Sequence, residues 1–186
     1  MPEVIRFEEA EPQTLPTLTL TDEYGDSEQL DVNPHVWRRI EQYTAFRWSS
    51  RQAVWTVIGG GDWFPHLRPV TNVTVDVWDE TLHVWEAVTV DATPLGYHLP
   101  SHRTYRITCD LGDTPEAVPQ LIVEAYRRLE QYMTEAQLST VPVGASSHSE
   151  SIGGELSESL ERNPAHVARA LQNSGCADLL RPYRSV

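Results

Sequence analysis

Val73-Thr74-Val75-Asp76-Val77-Trp78 places valines at every second position with Thr74, Asp76 and Trp78 between them. A period of two is that of a strand buried on one face. On the N-terminal side, residues 53–58 form a short apolar run that ends in Gly59-Gly60-Gly61-Asp62, a turn signal. On the C-terminal side, Asp79-Glu80 reads as a turn into residues 82–90, where Trp85 and Val88 sit among polar neighbours. Tyr105, Ile107 and Cys109 alternate with Arg106, Thr108 and Asp110 as a last strand, which Leu111-Gly112-Asp113 ends.

Helical patterns bracket these strands. Asn33-Pro34 supplies a cap and a first helical position, and Val36, Trp37, Ile40, Tyr43 and Phe46 follow on one face. Arg38, Arg39, Glu41 and Gln42 are expected to cover the solvent side. Thr114-Pro115-Glu116 opens the clearest helix, with Val118, Leu121, Ile122, Ala125, Leu129, Met133 and Ala136 at helical spacing. Pro119 falls early enough to be tolerated. Asn163-Pro164 opens a last helix through Val167, Ala170 and Leu171, with Gly175 as its stop.

The remainder reads as irregular. Residues 1–30 are acidic and interrupted by proline, with an alternating patch at 15–20 and a turn at Asp22-Glu23-Tyr24-Gly25-Asp26. They are expected to form an extended arm ordered by a partner. Residues 141–159, rich in Ser, Gly and Glu, are expected to be a flexible surface loop. The expected fold class is therefore α+β: a helical bundle with an inserted antiparallel β region and extended N- and C-terminal arms. Its parts are an arm at 1–32, a core at 33–175 with the β insertion at about 50–112 and the loop at about 140–160, and a tail at 176–186.

Composition narrows the function. A net charge of -13 repels phosphate, so neither DNA coating nor an anionic membrane surface is expected. No apolar run approaches the ~18 residues of a membrane helix, and the first residues do not resemble a secretory signal. All 14 basic residues are arginine. Schiff-base chemistry, pyridoxal phosphate attachment and a P-loop lysine are excluded with them. Cys109 and Cys176 lie far apart, outside any metal spacing, and are expected to be reduced and buried.

Chemical motifs are weak. The glycine triplet is followed by Asp62 and lacks the P-loop residues. His98 and His102 are four apart but flank Pro100 and lack a third ligand. Ser146, Ser147 and His148 fall in the flexible segment, which fixes no triad geometry. No catalytic, cofactor-binding or metal residue is assigned, and no enzyme activity is expected. All six tryptophans lie between positions 37 and 85. They serve either as core or as interface anchors. Trp63, Phe64 and His66, beside the glycine triplet, are the candidate contact loop.

Ile40-Glu41-Gln42-Tyr43-Thr44 with Arg51-Gln52-Ala53-Val54-Trp55 resembles the first block of the head–tail adaptor proteins of long-tailed phages and gene transfer agents. Residues 67–75, 113–119 and 177–184 are similar to its later blocks, in the same order. The acidic arm at residues 1–30 departs from the opening helix of that family. The resemblance implies a homo-oligomeric ring, a dodecamer in the family, in the neck of a particle made in the bacterial cytoplasm. DNA would pass through its lumen without specific binding, and no membrane is involved. It also implies that Leu179, Leu180, Arg181, Pro182, Tyr183 and Arg184 dock into the portal protein, while the β-rich loops meet a stopper or tail protein. The alternatives are another neck protein, a stopper or tail terminator, and a small metal-dependent hydrolase using His98 and His102.

Overall fold

A computed structural model of the chain describes residues 2–21, 24–112, 118–138, 147–152, 156–161 and 169–184. Among the described residues strand outweighs helix. The expected helical bundle with a β insertion is therefore corrected to a mostly antiparallel β-sheet protein. The chain divides into two compact units: residues 1–16, 41–117 and 184–186 in the first, 17–40 and 118–183 in the second.

The first unit is built on one six-stranded sheet. Its strands are β1 (Glu3–Glu9), β4 (Arg51–Trp63), β5 (Val70–Asp79), β6 (Val84–Ala87), β7 (Asp91–Ala92) and β8 (Tyr97–Leu111). The order is β1-β4-β8-β5-β6, with β7 also paired to β8. Alternation does the sorting: Ala53, Trp55 and Val57 of β4, Val75 and Val77 of β5, and Tyr105, Ile107, Cys109 and Leu111 of β8 all point into the core. Burial pushes the Cys109 thiol up to about 12.

Strand β4 does not end at the glycine triplet, as the sequence suggests. Gly59 pairs with Arg103 and Gly61 with Leu99, across an irregularity in register. A Cβ at Gly60 would lie 2.8 Å from the Ser101 carbonyl carbon, so only glycine admits this approach. The buried Tyr105 hydroxyl donates to the Ser101 carbonyl oxygen at 3.0 Å and accepts from the Ser101 N–H at 3.1 Å, fixing the bend. The strand then runs on to Trp63.

The second unit contains the hairpin β2 (Leu18–Thr21) with β3 (Ser27–Leu30), helix α2 (Gln120–Leu138), the hairpin β9 (Ser147–Ile152) with β10 (Leu156–Glu161), and short helices α3 (Ala170–Asn173) and α4 (Cys176–Leu180). Helix α1 (Pro34–Thr44) gives its first seven residues to this unit. Its cap is the expected one, with Asn33 Oδ1 accepting from the His35 N–H at 3.0 Å. Val36, Trp37 and Ile40 are buried, as are Ile122, Val123, Ala125, Tyr126 and Leu129 of α2. The Tyr126 hydroxyl accepts from the Asn33 N–H at 2.7 Å and donates to the Glu130 carboxylate at 2.6 Å. Burial first, then the Glu130 contact, push its pKa upward.

The two expected arms are corrected as well. Residues 3–9 join the main sheet, residues 18–30 form a hairpin, and residues 176–183 form α4 and a 3-10 turn (Arg181–Tyr183). The loop expected at about 140–160 contains the β9–β10 hairpin. The helix opening expected at Thr114-Pro115-Glu116 and the cap at Asn163-Pro164 lie outside the described residues. Pro119 stands immediately before α2, its carbonyl accepting from the Ile122 N–H at 2.8 Å.

Candidate interaction surface

Strand β1 carries two apolar residues, Val4 and Ile5, then Phe7, with Glu3, Arg6, Glu8 and Glu9 around them. It lies antiparallel along β4, with Phe7 opposite Trp55 and Glu9 opposite Ala53. Every residue from Glu3 to Glu8 is exposed: Val4 41%, Ile5 56% and Phe7 37%. Its far edge pairs with no other strand among the described residues. An open, apolar edge of this kind is a template for another strand.

A buried ionic clasp holds the C-terminal end of β1. Glu9 Oε1 accepts from Arg47 Nε at 2.6 Å and from Arg51 Nη1 at 3.0 Å, while Oε2 accepts from Arg47 Nη2 at 3.0 Å. Arg51 Nη2 donates to Glu41 Oε2 at 2.5 Å. Glu41 Oε1 accepts from the Trp48 and Ser49 N–H groups at 2.9 and 3.2 Å, and Arg47 Nη1 donates to the Glu41 carbonyl at 2.6 Å. Two carboxylates thus balance two guanidiniums, and all but Glu9 are nearly sealed from water. Burial raises the Glu9 pKa, but the hydrogen bonds and charges of Arg47 and Arg51 outweigh it and hold the carboxyl below its usual 4.5.

Beside the clasp, Phe7 stacks on Trp55 at 5.3 Å and meets the edge of His66 at 5.1 Å. Burial lowers the His66 pKa, the Arg47 charge lowers it further, and Glu9 opposes both. The imidazole is held neutral over more of the acidic range than a free histidine.

The opposite face of the sheet presents a second aromatic group. Trp78 and Trp85 are cross-strand partners in a T-shaped contact at 5.2 Å. The Arg106 guanidinium lies 4.8 Å from the Trp85 ring centre and donates to Asp76 at 2.7 Å. Both tryptophans are half-buried, and Leu82 and Val84 nearby are 65% and 44% exposed. Tryptophan with arginine is the composition of interface hot spots.

The residues marked from sequence separate. Trp63 is 4% exposed and packs on Trp55 at 5.4 Å, so it belongs to the core. Phe64 is 42% exposed, and His66 sits 5.7 Å from Trp55. In the tail, Leu180 is fully buried and Leu179 half-buried. Arg181 pairs with Asp178 at 2.8 Å on the surface, Pro182 is exposed and Tyr183 half-buried. The Arg184 guanidinium lies 5.5 Å from the Tyr43 ring centre. His98 Nδ1 is 2.7 Å from Asp62, and among the described residues no three His, Cys, Asp or Glu side chains gather as a metal site would need. Ser146 lies outside the described residues. Among the described residues no helix is long and apolar enough to cross a membrane.

Sequence reading missed the clasp. Arg47 and Arg51 are four residues apart beyond the end of α1, and Glu9 is 38 residues before the first of them. The one signal was a pair of arginines flanking Trp48-Ser49-Ser50, too common to stand out. No protein-family model matches the chain, and neither a curated protein nor a solved structure matches it.

Proposed function

We propose that the chain is a structural, self-assembling component of the neck of a phage-type particle, built as a ring of copies around passing DNA. The observation that carries the reading is β1, whose exposed Val4, Ile5 and Phe7 lie on an open sheet edge. Exposed apolar edges are a hazard in a solitary chain and an asset in one that assembles. A sheet-dominated chain suits the stopper or tail-terminator position better than the helical adaptor position that the sequence blocks resemble. Its partners in this reading are further copies of itself, a portal-side protein and a tail-side protein. The net charge of -13 fits a ring whose lumen lets DNA slide rather than adhere.

Light scattering and electron microscopy of the purified chain over a concentration series test the proposal. Closed rings or a defined oligomer are expected at high concentration. A chain that stays monomeric throughout would refute it.

A further inference from the structure

We infer that strand β1 is exchanged between copies: the Glu3–Glu9 segment of one chain lies along β4 of the next, its Glu9 carboxylate between that chain's Arg47 and Arg51. The inference deepens the assembly reading and rests on it.

The chemistry that recognises β1 is concentrated at one end. Phe7 meets Trp55, and Glu9 closes the arginine pair with three hydrogen bonds. The rest of the strand pairs with β4 through its backbone, and its side chains are exposed, Val4 to 41% and Ile5 to 56%. The β4 edge is therefore a receptor for a short, extended, acidic segment of the pattern Phe-x-Glu. A second copy of this chain supplies that segment in the same register.

Charge complementarity favours that occupant. β1 carries Glu3, Glu8 and Glu9 against the single Arg6, while its receptor offers Arg47 and Arg51, whose side chains are 6% and 4% exposed. An empty receptor would leave these two buried guanidiniums with Glu41 as their one carboxylate partner, a costly state. An exchanged strand reproduces every contact of the intrachain one, so the exchange sacrifices no clasp interaction. In a closed ring every receptor is filled.

The connector permits the step. Residues 10–17, Ala-Glu-Pro-Gln-Thr-Leu-Pro-Thr, contain neither helix nor strand. Eight extended residues reach at most about 28 Å. Pro12 and Pro16 oppose helix formation within it, and the boundary between the compact units falls at its end.

The test uses the full-length chain with the photo-crosslinking residue p-benzoylphenylalanine at position 7. Heavy-isotope and unlabelled chains are unfolded together, refolded, and separated by size; the assembled fraction is irradiated and digested. Cross-links from position 7 to the Trp55 peptide are expected in mixed-isotope form as often as in same-isotope form. Same-isotope products alone would show that β1 stays in its own chain, overturning the exchange while leaving assembly intact. Mixed products running from β1 to β1 would mean edge-to-edge pairing and would also overturn it. A chain that never assembles removes this inference together with the reading beneath it. Circular dichroism checks folding; if position 7 fails, the same residue at Ile5, which is 56% exposed, gives the same readout.

Discussion

Replacing Glu41 by alanine tests the clasp most directly. Glu41 is 1% exposed and holds three donors: the Trp48 N–H, the Ser49 N–H and Arg51 Nη2. Alanine leaves both N–H groups buried without that acceptor and leaves two guanidiniums facing Glu9 alone. Removing one member of a buried ion pair costs about 3–5 kcal/mol. Arg51 keeps Glu9 at 3.0 Å and the Ser49 carbonyl at 3.1 Å, which places the loss at the lower end. A loss of about 3 kcal/mol is a large share of the ~5–15 kcal/mol that stabilises a domain. In urea, with m near ~2 kcal/mol per M, the midpoint of tryptophan fluorescence should fall by about 1.5 M with m unchanged. Glu41→Gln keeps an oxygen for the two N–H groups while losing the charge, and should fall about half as far. A Glu41→Ala midpoint within ~0.25 M of the parent, the scale of a surface substitution, would refute the account of the clasp.

Ile5→Asp, at an exposed position of β1, should change unfolding free energy by no more than about 0.5 kcal/mol and leave the oligomer seen by light scattering in place, because an exchanged strand keeps that side chain in solvent. The His66 pKa lies below 6.5 in the folded chain, so the unfolded state takes up the proton first as pH falls. Stability is therefore complete above pH 6.5 and declines below it, and His66→Asn should flatten that slope in pH-dependent thermal melts. Leu180→Ala should cost about 2–5 kcal/mol, because the side chain is fully buried; a denaturant curve unchanged from the parent would contradict its placement in the core. Cys109 and Cys176, both pushed up to about 12 by burial, should resist a disulfide reagent at mildly alkaline pH in the native chain and react fully in urea.

The sequence announces what is periodic. Val75 and Val77, Tyr105, Ile107 and Cys109, and the Asn33 cap with Val36, Trp37 and Ile40 all stand where alternation or helical spacing puts them. The same periodicity misplaces Leu121, read as core but 48% exposed, and omits Val123 and Tyr126, which are buried. On α2 the buried stripe is broad, and only tertiary packing selects its edge. Glu41 shows the limit most clearly: its spacing puts it on the polar side of α1, while the returning segment with Arg47 and Arg51 buries it. Strand β1 was hidden because its pattern is short and acidic, and its partner lies about fifty residues away. Trp63 next to Phe64 looked like one exposed pair, yet β4 ends on Trp63 with its ring in the core, and Phe64, just beyond the strand, is 42% exposed.

The Gly60 approach to Ser101 governs more than its own neighbourhood. Beyond that point β4 carries Trp63 back onto Trp55 and β8 brings Tyr97 to within 6.5 Å of Trp63. A position without a side chain thereby steers three of the largest rings in the molecule. Enlarging it would straighten the hairpin and unstack aromatic groups several residues away, so damage at this spot would surface as altered tryptophan fluorescence rather than as a local defect.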